Sequence, residues 1–177
     1  FSHDGRMLVT EDTLMNPPGQ DRRLKLWSLA EVAANSDSLM PIRTNFSGNP
    51  WQVETLAFSP DNQHFASATS ITTELWSVND REPLLEMDGR IHAVWLEFSP
   101  DGKTLAGALA GGSGILWDVA ARQPQGRVLP HDGKVNCIRF SPDGQFVLTA
   151  SNDQKAQVWR VSTAEPAGPP VEHADRI

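Results

Sequence analysis

Short apolar runs separated by polar turns follow one another along the whole chain, and the same pattern occurs four times. Each copy has a phenylalanine followed by Ser-Pro-Asp-Gly or a close variant of it, and in the last three copies the phenylalanine ends an apolar run. The four copies begin at Phe1, Phe58, Phe98 and Phe140. A repeated pattern of this kind indicates one supersecondary unit that stacks on neighbours of the same kind.

Repeat 4 shows the elements that the pattern predicts. Val135 to Phe140 predicts a first strand, Phe146 to Ala150 a second and Ala156 to Val161 a third. Ser-Pro-Asp-Gly between the first two predicts a tight turn, because proline presets φ and glycine accepts a positive φ. We expect a fourth, outer strand between Val161 and Val171, where prolines weaken the strand signal.

A tryptophan lies in the third predicted strand of every repeat. Trp27, Trp76, Trp117 and Trp159 are 49, 41 and 42 residues apart, and the last two intervals fit the roughly 40 to 45 residues of a propeller blade. The longer first interval contains extra residues on both sides of Trp27, which we place in loops.

Together these features resemble the WD-repeat β-propeller family, in the form found in bacterial proteins, over essentially all of the chain. The resemblance implies an all-β fold, a β-propeller with four WD-type blades, each a four-stranded antiparallel sheet. We interpret residues 1–177 as one segment of a larger ring, with Phe1 ending a first strand that starts upstream. The approximate repeats are 1–48, 49–88, 89–130 and 131–172, and residues 173–177 align with the start of a further blade.

In this family four side chains often pin a blade: a histidine before the first strand, a serine or threonine in the second, an aspartate in the next turn, and the tryptophan. Repeat 4 matches at all four places, with His131, Thr149, Asp153 and Trp159. The other repeats match in part, and the remaining residues assigned to such structural sets are Thr10, Asp21, Trp27, Ser67, Trp76, Trp117 and His173. Repeat 3 departs furthest, because glycines hold its three polar places: Gly89, Gly107 and Gly111.

These polar sets are interpreted as structural. Their members can satisfy one another's hydrogen bonds inside a sheet, where a single unpaired polar group would cost about 1 to 3 kcal/mol. A hydroxyl, an imidazole and a carboxylate also suggest a hydrolase triad, but this set ends in a tryptophan and recurs along the chain. We therefore predict that the protein is not an enzyme, with no catalytic, cofactor-binding or metal-binding residues.

Composition narrows the class of partner. The chain carries 22 acidic and 15 basic residues and a net charge of −7, so it lacks the positive field that attracts nucleic acid. Its longest uncharged stretch, residues 104–117, is shorter than the roughly 20 residues of a membrane span. A single cysteine is compatible with a cytoplasmic location. We expect neither a nucleic-acid nor a membrane partner.

The resemblance also implies a binding face, formed by the turns after the second strands and the loops that lead into the next blade. Exposed tryptophan is a typical binding hot spot, although Trp51 fits packing under a neighbouring loop equally well. The candidate partner-binding residues on this face are Gln20, Arg22, Trp51, Arg90, Lys134 and Asn152.

Two functional classes remain open. The first is a non-catalytic scaffold or sensor that binds a protein or peptide, as the propeller part of a larger multidomain signalling protein. The alternative is a TolB-like or peptidase-associated propeller that gates or supports an enzyme, since those families use similar turns. The aspartate six residues before Trp159, together with His131, favours the first. Missing blades of the same chain or a second copy are further partners, because an open array of blades leaves apolar faces uncovered.

Overall fold

The computed structural model describes residues 1–12, 23–29, 40–43, 53–79, 83–87 and 92–175. These residues form four antiparallel sheets, each built from strands that are consecutive in the chain. The first sheet contains β1 (Met7–Asp12), β2 (Arg23–Ser28) and β3 (Met40–Arg43). The second contains β4 (Val53–Phe58), β5 (His64–Thr69), β6 (Thr73–Ser77) and β7 (Pro83–Met87).

The other two sheets lie in the second half of the chain. The third contains β8 (Ala93–Phe98), β9 (Thr104–Leu109), β10 (Ser113–Asp118) and β11 (Gln123–Pro130). The fourth contains β12 (Val135–Phe140), β13 (Phe146–Ser151), β14 (Lys155–Arg160) and β15 (Val171–Glu172). The prediction of an all-β fold of antiparallel sheets is confirmed, whereas the closed ring and the number of blades stay predictions.

The first and the fourth sheets are less complete than the two between them. The first sheet has three strands among the described residues, and Phe1 stands where Phe58, Phe98 and Phe140 end the first strand of the other sheets. The outer strand of the fourth sheet was predicted between Val161 and Val171. Pro166 does pair with Trp159 in that range, but the strand β15 itself starts only at Val171. The prolines before it explain the delay, since proline donates no ladder hydrogen bond.

The repeated turn has one construction in all four sheets. In the fourth, Gly144 N–H donates to the carbonyl of Ser141, and the Ser141 hydroxyl donates to Asp143 Oδ1 over 2.6 Å. Gly144 has a φ of 70°, in the left-handed region that favours glycine. Asn62 takes the same conformation in the second sheet, with a φ of 58°, which asparagine tolerates better than most residues.

The core lies between successive sheets. Each buried tryptophan packs on the sheet that precedes its own: Trp76 contacts the first sheet, Trp117 the second and Trp159 the third. The first strands also meet, because β8 contacts both β4 and β12. The order of repeats along the chain is therefore also the order of stacking.

On one face of the fourth sheet, here called its far face, apolar side chains are exposed. Val158 is 38% exposed, whereas Leu116, at the same place in the third sheet, is fully buried beneath the fourth. Leu148 is 42% exposed, and its counterpart Ala106 is also fully buried. No helix among the described residues is long and apolar enough to cross a membrane.

Candidate functional site

Four side chains of the fourth sheet form a continuous hydrogen-bonded chain, here called the fourth-sheet tetrad: His131, Thr149, Asp153 and Trp159. Trp159 Nε1 donates to Thr149 Oγ1 over 2.7 Å. The Thr149 hydroxyl lies 2.7 Å from His131 Nε2, and His131 Nδ1 lies 2.8 Å from Asp153 Oδ2. If Nδ1 donates to the carboxylate, Nε2 accepts from threonine, and each polar atom along the chain has a partner.

The tetrad is buried although it contains an ionisable pair. The side chains of His131 and Asp153 are 3% and 8% exposed, and Thr149 is fully buried. Burial raises the pKa of Asp153, but hydrogen bonds from His131 and from the backbone N–H groups of Asp132 and Lys155 outweigh it and hold the pKa below its usual value. The carboxylate is therefore held in its charged form.

The tetrad stabilises two loops at one end of the sheet, residues 132–134 and 152–154, here called the fourth-sheet rim. Asn152 N–H donates to the carbonyl of Lys134, and the Asn152 side chain accepts from Asn136 over 2.8 Å. A Cβ on Gly133 would stand 2.8 Å from the nitrogen of Asp153, so glycine permits this close approach. The rim is thus a fixed surface, from which the side chain of Lys134 is exposed.

A shallow cavity of about 290 Å³ adjoins the tetrad and the rim. Pro130 and Pro170 contribute apolar surface, and Asp132 and Lys155 contribute opposite charges. This mixture suits a peptide or protein surface, since interfaces combine apolar contact with a polar rim.

The first two sheets keep only the tryptophan and its hydroxyl acceptor among their described residues. Trp27 Nε1 donates to Thr10 Oγ1 over 2.8 Å, and Trp76 Nε1 donates to Ser67 Oγ over 3.0 Å. The structure therefore brings together the predicted pair in both sheets.

The third sheet buries its tryptophan in another way. Gly107 holds the hydroxyl position, and the six-membered ring of Trp117 occupies the space above it, since a Cβ there would stand 2.7 Å from the ring. Trp117 Nε1 is buried and has no hydrogen-bond partner among the described residues. An unpaired buried N–H costs about 1 to 3 kcal/mol. The third sheet carries this cost, whereas the tryptophan N–H groups of the other three sheets each have a hydroxyl acceptor.

His173 occupies the backbone place of a tetrad histidine, but its side chain is exposed. Its N–H donates to the carbonyl of Gln154 over 2.8 Å, as the N–H of His131 donates to the carbonyl of Gly112 over 2.9 Å. The assignment of His173 to a further blade stays a prediction.

Several predicted residues lie outside the described part of the chain. They are Gln20, Asp21, Arg22, Trp51 and Arg90. Of the predicted partner-binding face, the structure places Lys134 and Asn152 side by side in the fourth-sheet rim.

Sequence reasoning missed the polar pairs that join neighbouring sheets. His92 Nε2 lies 2.9 Å from Glu54 Oε2, between the second and third sheets. Arg139 Nη1 lies 3.4 Å from Glu97 Oε2, and its guanidinium stands 4.8 Å from the ring centre of Trp95. Burial raises the pKa of Glu97, against the lowering effect of Arg139. Glu97 and Arg139 each directly precede the phenylalanine of their repeat. This shared position could have predicted the pair, because equivalent positions of adjacent first strands lie close together.

Stacked antiparallel sheets whose first strands contact one another are consistent with a segment of a β-propeller. Two segments of the chain, residues 40–77 and 123–160, match the model of the family described as WD domain, G-beta repeat. The predicted resemblance to the WD-repeat family is confirmed at these two positions. No curated protein matches the chain at a significant level.

Each matched segment crosses from one sheet to the next. Residues 40–77 begin with β3 of the first sheet and end with β6 of the second, and residues 123–160 run from β11 to β14 in the same way. One family repeat therefore links two adjacent sheets covalently. WD repeats generally mediate protein–protein interactions as scaffolds and are typically non-catalytic.

Proposed function

We propose that this chain is a non-catalytic scaffold or sensor module that binds a protein or peptide partner through the fourth-sheet rim. The carrying observation is the tetrad, whose closed set of hydrogen bonds holds two loops in one arrangement and leaves Lys134 exposed without an ion pair among the described residues. A pre-ordered surface binds with less loss of conformational entropy than a mobile one.

The same geometry argues against a hydrolase. The Thr149 hydroxyl is fully buried and already contacts both the imidazole and the indole N–H. A nucleophile must reach a substrate carbonyl, and this one has no open side. The family match favours a WD-repeat module over the TolB-like or peptidase-associated alternative.

We further propose that the module belongs to a larger, cytoplasmic signalling protein and that another blade covers the far face of the fourth sheet. The exposed Leu148 and Val158 support this, because their counterparts Ala106 and Leu116 are buried by a neighbouring blade. The blade comes either from the same chain or from a second copy. The oligomeric state of a longer chain, extended by the neighbouring coding sequence, distinguishes the two. A monomer supports a blade from the same chain. A dimer that the variant Val158→Glu dissociates supports a blade from a second copy.

The rim is tested by comparing three tagged chains in quantitative affinity enrichment from cells of the source organism. Lys134→Glu combined with Asn152→Ala alters the rim, while Lys103→Glu changes an 82% exposed lysine at the other end of the sheets. We expect at least one protein to be retained by wild type and by Lys103→Glu but lost from the rim variant. That protein should also bind the purified chain directly. Equal retention of every protein by all three chains would contradict the assignment of the rim.

A further inference from the structure

A second cavity lies between the third and fourth sheets, at the end of β13 opposite to the rim. Its volume is about 340 Å³, and the residues that line it include Thr104, Gln125, Arg127, Gln145, Phe146 and Arg160. We call it the arginine cleft. It has two guanidinium groups, and none of the described residues that line it is acidic, although the chain carries a net charge of −7.

Arg127 is partly buried there with only neutral acceptors. Its Nη1 donates to the carbonyl of Val161 over 2.8 Å and lies 3.3 Å from Gln125 Oε1. Gln125 in turn donates to Thr104 Oγ1 over 3.3 Å. No carboxylate within the described residues pairs with Arg127. A guanidinium has five N–H donors, so this anchoring orients the group and leaves donors available to a ligand.

Arg160 forms the other side of the cleft. Its guanidinium carbon lies 5.6 Å from the ring centre of Phe146, within the range of a cation–π contact. It is exposed and makes no ion pair with any described residue. Stacking on an aromatic ring restricts the conformations of an arginine side chain, while its in-plane N–H groups can still donate hydrogen bonds to a ligand.

The two arginines are not required by the repeat. Asp118 in the third sheet and Ser77 in the second hold the place of Arg160, directly after the tryptophan. Arg127 pairs with Leu116 across the ladder, where the second sheet pairs Leu85 with Leu75. The blade structure therefore accommodates other residues at both places, and the paired positive charge is particular to this cleft.

We propose that the arginine cleft binds an oxyanion, a phosphoryl or carboxylate group, carried by a peptide or free in solution. Planar guanidinium groups recognise both groups through paired, charge-assisted hydrogen bonds. The anion would supply the counter-ion that Arg127 lacks among the described residues. Because the cleft and the rim lie at opposite ends of β13, this site goes beyond the proposed interaction through the rim and does not depend on it.

The test is a titration of the full ¹⁵N-labelled chain followed by two-dimensional NMR. The probes are inorganic phosphate, a short peptide containing phosphoserine, the same peptide with glutamate, and the same peptide with serine. We expect the anionic probes to shift the amides of Gly144, Gln145, Phe146 and Ser162, with the serine peptide inactive. Affinity should fall as salt rises, since the attraction is electrostatic.

Variants assign the binding to the cleft. Arg160→Gln and Arg127→Gln should each weaken binding roughly tenfold, as expected for one lost charge-assisted contact. Arg122→Gln removes an exposed arginine that does not line the cleft and should bind as wild type does. Because Arg160 is exposed, its variant should keep the amide spectrum of the folded chain, which makes its result interpretable even if Arg127→Gln destabilises the fold.

The outcomes separate clearly. Stronger binding of the phosphoserine or glutamate peptide than of phosphate assigns the cleft to a peptide ligand, and the reverse assigns it to a free anion. Unchanged affinity in Arg160→Gln, an equal loss in Arg122→Gln, or shifts confined to the rim would overturn the proposal. Loss of rim binding in the enrichment experiment leaves these titrations unaffected, so the two proposals fail independently.

Discussion

The third and fourth sheets bury equivalent tryptophans by different means. In the fourth, Trp159 donates to Thr149 and the hydrogen bonds continue through His131 to Asp153. In the third, Trp117 lies over Gly107, and its N–H has no partner among the described residues. The third sheet has a neighbour on each side, whereas one face of the fourth is exposed.

This difference indicates what the tetrad contributes. A sheet packed on both faces can hold its tryptophan by apolar contact alone, because close packing supplies the stabilisation. In the fourth sheet the polar chain fixes the loops of the rim as well as the indole. Four pairs of variants test or refine this comparison, beginning with the largest expected effect.

Leu116→Ala should destabilise the chain by about 2 to 5 kcal/mol, because it leaves a cavity among Leu129, Ile138, Val147 and Trp159. Val158→Ala, at the same place in the fourth sheet, should cost less than about 1 kcal/mol, since that side chain is 38% exposed. Urea denaturation of both variants measures the two costs. Similar losses would show that the far face of the fourth sheet is covered in solution.

Thr149→Val removes the hydroxyl that joins Trp159 to His131 while keeping the shape of the side chain. Two buried polar groups then lose a partner, so we expect a loss of about 2 to 4 kcal/mol in the free energy of unfolding. Ser67→Ala in the second sheet breaks one such bond and should cost roughly half as much. Calorimetry of both proteins measures the ratio, and a cost for Thr149→Val no greater than for Ser67→Ala would argue against a continuous chain.

Gly107→Ala should cost about 1 to 3 kcal/mol, because the new methyl group overlaps the ring of Trp117. Gly107→Ser should cost less than Gly107→Ala, because a shifted indole can donate to the new hydroxyl, as Trp76 donates to Ser67. The denaturation midpoints of the two variants measure the difference. A greater loss with serine would mean that Trp117 cannot take the orientation of Trp76.

Asp153→Asn should lower stability by about 1 to 2 kcal/mol at neutral pH. Because the folded state lowers the pKa of Asp153, the carboxylate stabilises the fold fully above its unfolded pKa of about 3.9, and that contribution disappears as the pH falls towards the folded pKa. The difference from wild type should therefore shrink in acid. Asp101→Asn, at a 59% exposed carboxylate of the third sheet, is the control and should show a smaller difference at neutral pH.

Local features of the chain were predictable from sequence. The inner three strands of repeats 2 to 4 follow from short apolar runs between Ser-Pro-Asp-Gly or Ser-Pro-Asp-Asn turns. The partners of Trp27 and Trp76 follow from the resemblance to the WD-repeat family. The outer strands were less predictable. Their ladders shift register at Leu75/Trp76 and Leu116/Trp117, and the prolines before Val171 shorten β15. Bulges and prolines of this kind change pairing without a clear local signal.

Contacts between sheets were harder to foresee than contacts within them. The pair of Glu97 and Arg139 and the cleft between Arg127 and Arg160 join residues from different repeats. Which side chains meet there depends on how one sheet stacks on the next, and the period of the repeat does not specify that geometry. The candidate binding sites are therefore the part of the molecule that most needed the structure.

The central claim is that the tetrad is structural and that the rim above it binds the partner. The most direct test measures the melting temperature and the affinity for the rim partner in His131→Ala, at a temperature where that variant is still folded. The account predicts a lower melting temperature and a modest loss of affinity, because the rim loops lose part of their support, while Lys134→Glu loses more affinity at an unchanged melting temperature. A folded His131→Ala that melts like wild type and no longer binds its partner would contradict the claim and place the imidazole in the binding site itself.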